Sequence, residues 1–449
     1  MHTYAQVSLG FTVPDDEAQR RAIDKLVEAA NKLVSIFPWL AGQVVNEGSG
    51  PSNSGTFKVV AYPEHQGPFK FIRVKDCANE LPPYTDILTA GAPLSMIDGR
   101  ILSPAYSFPC VYPVGEIMPV VILQINTLSG GMFMTFCGQH NVLDGNSTAS
   151  FIQYLARVCA GKELTADEIA VGNIDRDRAF PQAVEKLDLD ELQYLRMPSL
   201  LSQPRPTWPP EYGPAPWYLF RIPSSKITQL KAAASTPAMN GHSEGIDTAP
   251  FFSTNDLLTA FLWKHLVRSR CLDKDIDPET ALIRAVNGRK RFSPPIPAEY
   301  LGHTIQCVYT RIPLASLSIL PLGTIASALR RKLIDGTTPA SLSKLVHLFR
   351  TEDDKTTINY GATMNGKTDV VITSHIAHEV ATADFGAGIG MPDVVRRCNL
   401  PDGRATAYMM PRARDGSVEV ATSLTKEDVH ILRNGPGCEE FNETVEWVG

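Results

Sequence analysis

The chain has 449 residues, of which 43% are hydrophobic and 20% charged, and a formal net charge of −6. This composition predicts a sizeable packed core in no more than a few domains of about 150 residues each, and it excludes global disorder. The acidic balance argues against a general nucleic-acid-binding protein, which shows a basic face, although a local basic patch would still bind an anionic ligand.

No apolar run approaches the roughly 18–20 residues of a membrane span, and the first residues lack the pattern of a signal peptide. Eight cysteines occur without a CxxC pair, which is typical of reduced thiols in the cytoplasm. We therefore expect a cytoplasmic protein without membrane or nucleic-acid partners. We also expect a monomer.

The first predicted element is an amphipathic helix over residues 15–37, where apolar residues recur at three- and four-residue steps. Pro38 ends this pattern, because the residue before a proline disfavours helical backbone. Strands are predicted at 57–62 and 69–74. The proline-rich segment 81–118 is predicted to be irregular.

A strand, a loop and a helix then follow one another. Residues 120–128 form a β-branched apolar run, residues 132–138 form a second strand after a glycine turn, and a helix covers 150–159. His140 and Asp144 therefore stand between the end of a strand and the start of a helix.

Seven prolines fall within residues 198–216, and this density predicts an extended connector at a domain boundary. Strands and helices alternate again after it. The predicted elements are strands at 217–222 and 370–374, a hairpin of 405–410 and 417–424, and helices at 224–234, 255–270, 323–335, 341–350 and from Lys426. Alternation in both halves predicts an α/β protein with two sheets.

Two motifs suggest chemistry that their surroundings do not favour. Residues 361–368, GATMNGKT, match the phosphate-loop pattern, but a strand-like run follows where that motif needs a helix. We interpret them as a surface loop. His375 and His378 lie three residues apart, but the sequence nominates no third ligand, so we predict no metal site.

His140 is the strongest candidate for chemistry. A histidine with an ordinary pKa near ~6.5 is well placed to accept a proton at neutral pH. Taken alone, His140 is equally well explained as a structural histidine. Asp144 either faces the same site or caps the following helix and turns to a basic partner. A serine nucleophile is less favoured, because no GxSxG motif occurs.

Residues 285–291, AVNGRKR, place three basic residues together, and Arg284 lies just before them. This run is either a solvated loop or an anion-binding patch in an otherwise acidic protein. The prolines that follow would stiffen the loop.

Several of these segments together resemble the BAHD acyltransferases, which use acyl-CoA donors. Residues 140–145 match the HxxxDG motif of that family, and residues 384–388, DFGAG, are similar to its DFGWG motif. Residues 37–43, 253–263 and 286–302 resemble the end of its N-terminal helix, its central helix and its basic proline-rich loop. The matches occur in family order over about residues 4–424, and that order makes the set specific.

Departures from the family pattern narrow the resemblance. Ala387 stands in place of the usual tryptophan, and the extended glycine run 384–392 looks like the fungal trichothecene 3-O-acetyltransferase branch, as does VVRR at 394–397. His303 stands where the family usually has asparagine, which leaves the role of that position open.

The resemblance implies an α/β fold of two chloramphenicol-acetyltransferase-like domains. Each would be a mixed β-sheet flanked by helices, with a solvent channel between the two. We expect an N-terminal domain at 1–197 that carries HxxxDG, a crossover linker at 198–223, and a C-terminal domain at 224–449 that carries the CoA-side loop and DFGxG.

The resemblance also implies an O-acyltransferase with acetyl-CoA or another acyl-CoA as co-substrate, no tightly bound cofactor, and a bulky, largely apolar secondary-metabolite alcohol as acceptor. His140 would be the general base, and Asp144 would be structural and pair with an arginine, for which Arg289 is the candidate. The oxyanion donor is not evident. CoA would lie near Ser253, Thr254, Arg289, Arg291 and Gly388, while Asp384 and Gly386 would belong to a structural motif.

Two alternatives stay open. A condensation-type domain of a peptide-assembly line shares the fold and an HHxxxDG motif, but Gln139 replaces its first histidine. A non-catalytic metabolite-binding protein of the same fold is the other, although His140, Asp144 and Asp384 are all present.

Overall fold

The structure is a computed structural model that describes residues 4–63, 71–105, 116–180, 195–196, 199, 215–235, 246–270, 279–358, 365, 368–398 and 406–448. Its strands within these ranges are β1 (Tyr4–Thr12), β2 (Gln43–Glu47), β3 (Thr56–Val60), β4 (Ile72–Asp76), β5 (Val121–Leu128), β6 (Gly131–Gln139), β7 (Trp217–Ile222), β8 (Glu279–Asn287), β9 (Ile305–Pro313), β10 (Val370–Ser374), β11 (Val394–Arg396), β12 (Thr406–Met409), β13 (Val418–Ser423) and β14 (Glu446–Val448).

The helices within the same ranges are α1 (Asp16–Ile36), α2 (Tyr84–Thr89), α3 (Gly99–Leu102), α4 (Gly145–Cys159), α5 (Ala166–Gly172), α6 (Arg176–Ala179), α7 (Ser224–Ser235), α8 (Thr254–Arg270), α9 (Leu314–Ile319), α10 (Leu322–Gly336), α11 (Pro339–Thr351), α12 (Lys426–Asn434) and α13 (Glu439–Thr444). None of the helices in the described ranges is both long enough and apolar enough to cross a bilayer.

Two mixed sheets organise these elements. The first has five strands in the order β11-β1-β6-β5-β4, and the second has seven in the order β14-β7-β13-β12-β10-β8-β9. Parallel pairing occurs between β4 and β5 and on both sides of β10, whereas the other neighbours are antiparallel. The helices pack against the sheets over two large apolar cores, and the first core also takes in Leu219, Tyr408 and Ala421 of the second sheet. The predicted α/β class with two sheets is confirmed.

One strand of the first sheet comes from the second half of the chain. β11 pairs antiparallel with β1, where Arg396 lies opposite Ser8. The Arg396 side chain is buried, and its Nη1 lies 2.5 Å from Oε2 of Glu419, a residue of β13 in the second sheet. This crossing strand and its ion pair therefore connect the two sheets.

The hairpin of β5 and β6 ends at the most informative loop. β6 is buried along its whole length and ends at Gln139, and α4 begins at Gly145. Asp144 is the N-cap of α4, and its Oδ1 accepts a hydrogen bond from the Ser147 N–H at 2.8 Å. Because this cap satisfies an N–H that has no partner within the helix, the chain turns sharply from strand to helix. His140 follows directly after the strand.

Most predicted elements agree with the structure. α1 covers the predicted helix, and the Asp15 side chain caps it. β12 and β13 form the predicted antiparallel hairpin. The prediction that 81–118 is wholly irregular is wrong, because α2 and α3 form within it. Pro83 precedes α2 as its N-cap residue, a position where the missing N–H of proline costs no helical hydrogen bond.

Two predictions fall largely outside the described residues. They are the proline-rich connector at 198–216 and the loop at 361–368, of which only Asn365 and Thr368 are described. The strand predicted to follow that loop is β10.

Phe385 tests the packing of the first core. Its side chain is fully buried, and its ring packs edge-on against Phe11 with the centroids 5.3 Å apart. We expect Phe385→Ala to lower the free energy of unfolding by about 3–5 kcal/mol, because the substitution leaves a cavity. Urea denaturation measures this loss.

The matched control is Met391→Ala in the same loop, since the Met391 side chain is 41% exposed. It should change the free energy of unfolding by less than about 0.5 kcal/mol. Equal effects of the two substitutions would contradict the packing described for Phe385.

Candidate active site

His140 has the geometry of a base. Its Nδ1 lies 2.9 Å from the Leu143 carbonyl oxygen. Because a carbonyl only accepts hydrogen bonds, Nδ1 carries the hydrogen of the neutral ring and Nε2 keeps its lone pair. Burial lowers the pKa of His140 below its ordinary value of 6.5, so the ring is neutral at pH 7. Nε2 is therefore the ring nitrogen that has a lone pair at pH 7.

Asp144 turns away from His140 and pairs with Arg289. The Arg289 Nη1 donates to Oδ2 at 2.7 Å and Nη2 donates to Oδ1 at 3.1 Å, which is a bidentate arrangement. Burial by itself would raise the pKa of Asp144, but the Arg289 charge and its hydrogen bonds outweigh burial and lower this pKa to about 2. Asp144 is thus ionised throughout the range of the neutral base.

The Arg289 guanidinium donates all its hydrogen bonds to groups within the protein. The side chain is 1% exposed, and all three guanidinium nitrogens donate to acceptors. These acceptors are the side chains of Asp144, Asn287, Ser147 and Thr304 and the carbonyls of Tyr300 and Gly302. The pairing of Arg289 with Asp144 is therefore present, whereas the predicted contact of Arg289 with CoA has no guanidinium N–H left to make it.

Three more imidazoles surround His140. The His303 ring centroid lies 5.5 Å from that of His140, and the Nδ1 atoms of His375 and His378 lie 3.2 Å apart beside Gly145. Burial lowers the pKa of both His303 and His378 to about 4 and that of His375 well below 6.5. All are therefore neutral at pH 7.

A cavity of about 560 Å³ reaches His140. Both sheets contribute to its walls, since Ala5 belongs to the first sheet and Tyr408 to the second. Other side chains that line it are Asn146, Asn255, Arg284, Asn287, His375, His378 and Arg397. His140 is thus accessible to a small molecule that enters between the sheets.

Near the cavity, two arginines pair with one carboxylate, and a third arginine lies within electrostatic reach of them. Arg284 Nη1 and Arg330 Nε donate to the Asp256 carboxylate at 2.7 and 2.9 Å. Arg291 donates to Thr337 instead, and burial and the like charges of Arg330 and Arg284 lower the pKa of Arg291. One carboxylate does not neutralise three guanidinium groups, so this region attracts anions.

Ser253 and Thr254, predicted to contact CoA, stand at the start of α8. The Ser253 Oγ donates to Asp256 at 2.7 Å and accepts from the Asp256 N–H, so Ser253 caps the helix. The neighbouring Asn255 is the residue of this turn that lines the cavity.

The DFGAG loop lies apart from the cavity walls. Its Gly386 and Gly388 have φ angles of +82° and +90°, where a side chain would strain the backbone. Asp384 accepts from the Gly386 N–H, and Lys25 of α1 donates to the Ala387 carbonyl. The loop therefore shapes the packing on α1 and α4, and Gly388 is not among the residues that line the cavity.

Sequence reasoning missed three contributors to the cavity. His375 and His378 were considered only as metal ligands, and among the described residues no group of three or more His, Cys, Asp or Glu could hold a metal ion. Arg397 entered only as part of the VVRR match. The strand ends that carry these residues, β10 and β11, meet His140 only in the folded chain.

Comparisons with known proteins agree with this geometry. The protein-family model described as "Transferase family" matches residues 108–436 of the sequence. The family model of the "Trichothecene 3-O-acetyltransferase-like N-terminal domain" matches residues 3–159. The chain is 32% identical to the O-acyltransferase pigD of Monascus ruber, over 100% of this chain and 96% of that protein.

Solved structures show the same similarity. The crystal structure of TRI101 from F. sporotrichioides with coenzyme A and T-2 matches with a TM-score of 0.87 and 28% identity, covering 100% of this chain and 96% of that one. The structure of TRI101 from F. graminearum with coenzyme A and deoxynivalenol matches with a TM-score of 0.88 and 26% identity, and it covers 100% of this chain and 96% of that one. A condensation domain of the CDA synthetase matches with a TM-score of 0.55 and 14% identity, a similarity that shows a common fold and nothing more.

Removal of the buried charge at position 144 tests its structural role. We expect Asp144→Ala to cost about 3–5 kcal/mol of unfolding free energy, because it leaves Arg289 as an unpaired buried charge. The control is Glu17→Ala, which breaks an exposed pair with Arg21 and should cost less than about 1 kcal/mol. Chemical denaturation at pH 7 measures both.

The stabilisation that the Asp144 carboxylate gives the folded chain is expected to decrease at low pH. The pKa of Asp144 is about 2 in the folded chain and near ~3.9 unfolded, so its stabilisation is complete above about pH 4 and declines between about pH 4 and 2. A difference between wild type and Asp144→Ala that stays constant over this range would contradict the ion pair.

Proposed function

The chain belongs to the Transferase family, the BAHD acyltransferases, and is an acyl-CoA-dependent O-acyltransferase; from this premise we propose that His140 is its general base and that acetyl-CoA is its donor. The observation that carries the proposal is the hydrogen bond from Nδ1 to the Leu143 carbonyl, which leaves Nε2 unprotonated in the cavity.

The proposed reaction moves one proton through Nε2. His140 takes the proton of the acceptor hydroxyl while that oxygen attacks the thioester carbonyl carbon. The carbon–sulfur bond then breaks, the CoA sulfur takes the proton back from Nε2, and the acetyl ester is released. Asp144 has no part in this relay, because its oxygens are engaged with Arg289 and the helix cap.

The donor is proposed to enter on the side of the second sheet. Arg284, Arg291 and Arg330 supply the positive charge that the CoA phosphates need, and Asn255 and Arg284 line the cavity there. Ser253 and Thr254 act at this end through the start of α8. The division into domains 1–197 and 224–449 with a linker at 198–223 also remains our proposal, with β11 crossing to the first sheet.

The acceptor is a small-molecule alcohol, and we propose a bulky fungal secondary metabolite. The related TRI101 structures hold T-2 and deoxynivalenol beside coenzyme A, and their names identify trichothecene 3-O-acetyltransferases. We propose a cytoplasmic location as well, supported by the free thiols of the described cysteines.

Neither alternative has comparable support. The condensation domain shares the fold at 14% identity, and Gln139 stands in place of the first histidine of its motif. A non-catalytic protein would not need the neutral, correctly oriented base that His140 provides.

His140→Ala tests the base directly. We expect acetyl transfer, measured as CoA release with a panel of fungal alcohols, to fall by about 10²–10⁴-fold, since that is the usual contribution of a general base. His430→Ala, at an exposed histidine of α12, is the control and should leave the rate unchanged. Wild-type turnover by a folded His140→Ala variant would refute the assignment.

The pH dependence of kcat/KM follows from the lowered pKa of His140. Burial disfavours the protonated ring, so the active form is lost only as pH falls through a value below 6.5. We expect the rate to be half-maximal at a pH below 6.5, whereas a half-maximal point above pH 7 would contradict the lowered pKa of His140.

A further inference from the structure

Two neighbouring arginines differ sharply in their surroundings. Arg396 is buried with a full set of acceptors, which are the Glu419 carboxylate and the carbonyls of Gly91, Ala92 and Val395. Arg397 is 9% exposed and lines the cavity that contains His140. Its Cζ lies 4.3 Å from the centroid of the Tyr408 ring.

Arg397 has no counter-ion in the part of the chain that the structure describes. No carboxylate lies within ion-pair distance there, no hydrogen bond satisfies the guanidinium, and its Nε is buried without an acceptor. Arginine stays charged in proteins, and a buried unpaired charge is costly. The Tyr408 face offsets part of this cost through cation–π attraction, but it leaves the N–H groups at the edge of the guanidinium unsatisfied.

The charge of Arg397 acts at the base. It contributes to the lowered pKa of both His140 and His375, so the guanidinium lies within electrostatic reach of the reacting centre. It follows β11 of the first sheet, whereas Arg284 and Arg330 pair with Asp256 beside the second sheet and Arg291 lies within electrostatic reach of both. The donor phosphates therefore have their own cations, and Arg397 remains for another ligand group.

We propose that Arg397 is a specificity-determining residue that binds a negatively charged oxygen of the acceptor, such as a carboxylate or an ionised enol, beside the hydroxyl that is acetylated. The inference rests on the proposed function, because it places the acceptor at His140. A planar guanidinium with free edge N–H groups matches two such oxygens at once. Acceptors of this class would supply the counter-ion that the cavity lacks.

Hydroxynaphthoate and naphthol, which differ by a carboxylate beside the hydroxyl, are suitable probes. Calorimetric titration in the presence of CoA should show that wild type binds hydroxynaphthoate at least about tenfold more tightly than naphthol, the scale of a charge-assisted pair. Arg397→Met should abolish this preference and leave naphthol affinity unchanged. Arg311→Met, at an exposed arginine of β9, should keep it.

Stability separates a ligand-binding role from a structural one. Arg397→Met removes an unpaired buried charge, so its melting temperature should equal or exceed that of wild type, whereas loss of a structural arginine would lower it. Arg397→Lys and Arg397→Gln repeat the titration with and without the charge if the methionine variant folds poorly. Lysine should retain part of the preference and glutamine none.

Four results would overturn the proposal. They are equal affinity of wild type for the two probes, no binding of hydroxynaphthoate at millimolar concentration, a preference that persists in Arg397→Met, and slower acetyl-CoA hydrolysis in Arg397→Met with unchanged probe affinities. The last would assign Arg397 to the transient oxyanion. His140→Ala should keep the probe preference, so failure of the base assignment would be recognised separately.

Discussion

The buried ion pair between Asp144 and Arg289 is the constraint on which the site depends. Asp144 caps the helix that follows His140, and Arg289 stands in the loop after β8, so the pair joins the two halves of the chain. Each charge is expensive to remove from water and is stable there only because the other is present and fully hydrogen-bonded. The position of His140 relative to the second sheet follows from this pair.

The ion pair also limits the effect of the Asp144 charge on the neighbouring histidines. Arg289 neutralises Asp144, so the carboxylate does not hold His140 in its protonated form, and burial keeps the four imidazoles of the site neutral. Among the described residues that line or adjoin the cavity, positive charge exceeds negative charge around Asp256 and at Arg397. A neutral imidazole beside two cationic regions agrees with the proposed reaction, whose CoA donor carries phosphates.

Local patterns predicted the elements because short-range forces form them. The apolar period of α1 and the β-branched run of β5 decide helix and strand within a few residues. Proline was the weakest signal, since it marks a helix start as readily as an irregular segment, and α2 was missed for that reason. The order of family motifs supplied His140, Asp144 and Arg289, whose geometry no single motif contains.

The sequence by itself determined the class of the fold, because strands and helices alternate in both halves, and its resemblance to the family singled out His140 and Asp144, because those two residues stand together in one motif. Only the tertiary structure decided that His375, His378 and Arg397 share a cavity with His140, and that every guanidinium nitrogen of Arg289 donates to a group within the protein. These facts depend on which strand ends meet and on which donors find acceptors. Such contacts join residues that are more than a hundred positions apart in the chain, so no local sequence pattern predicts them.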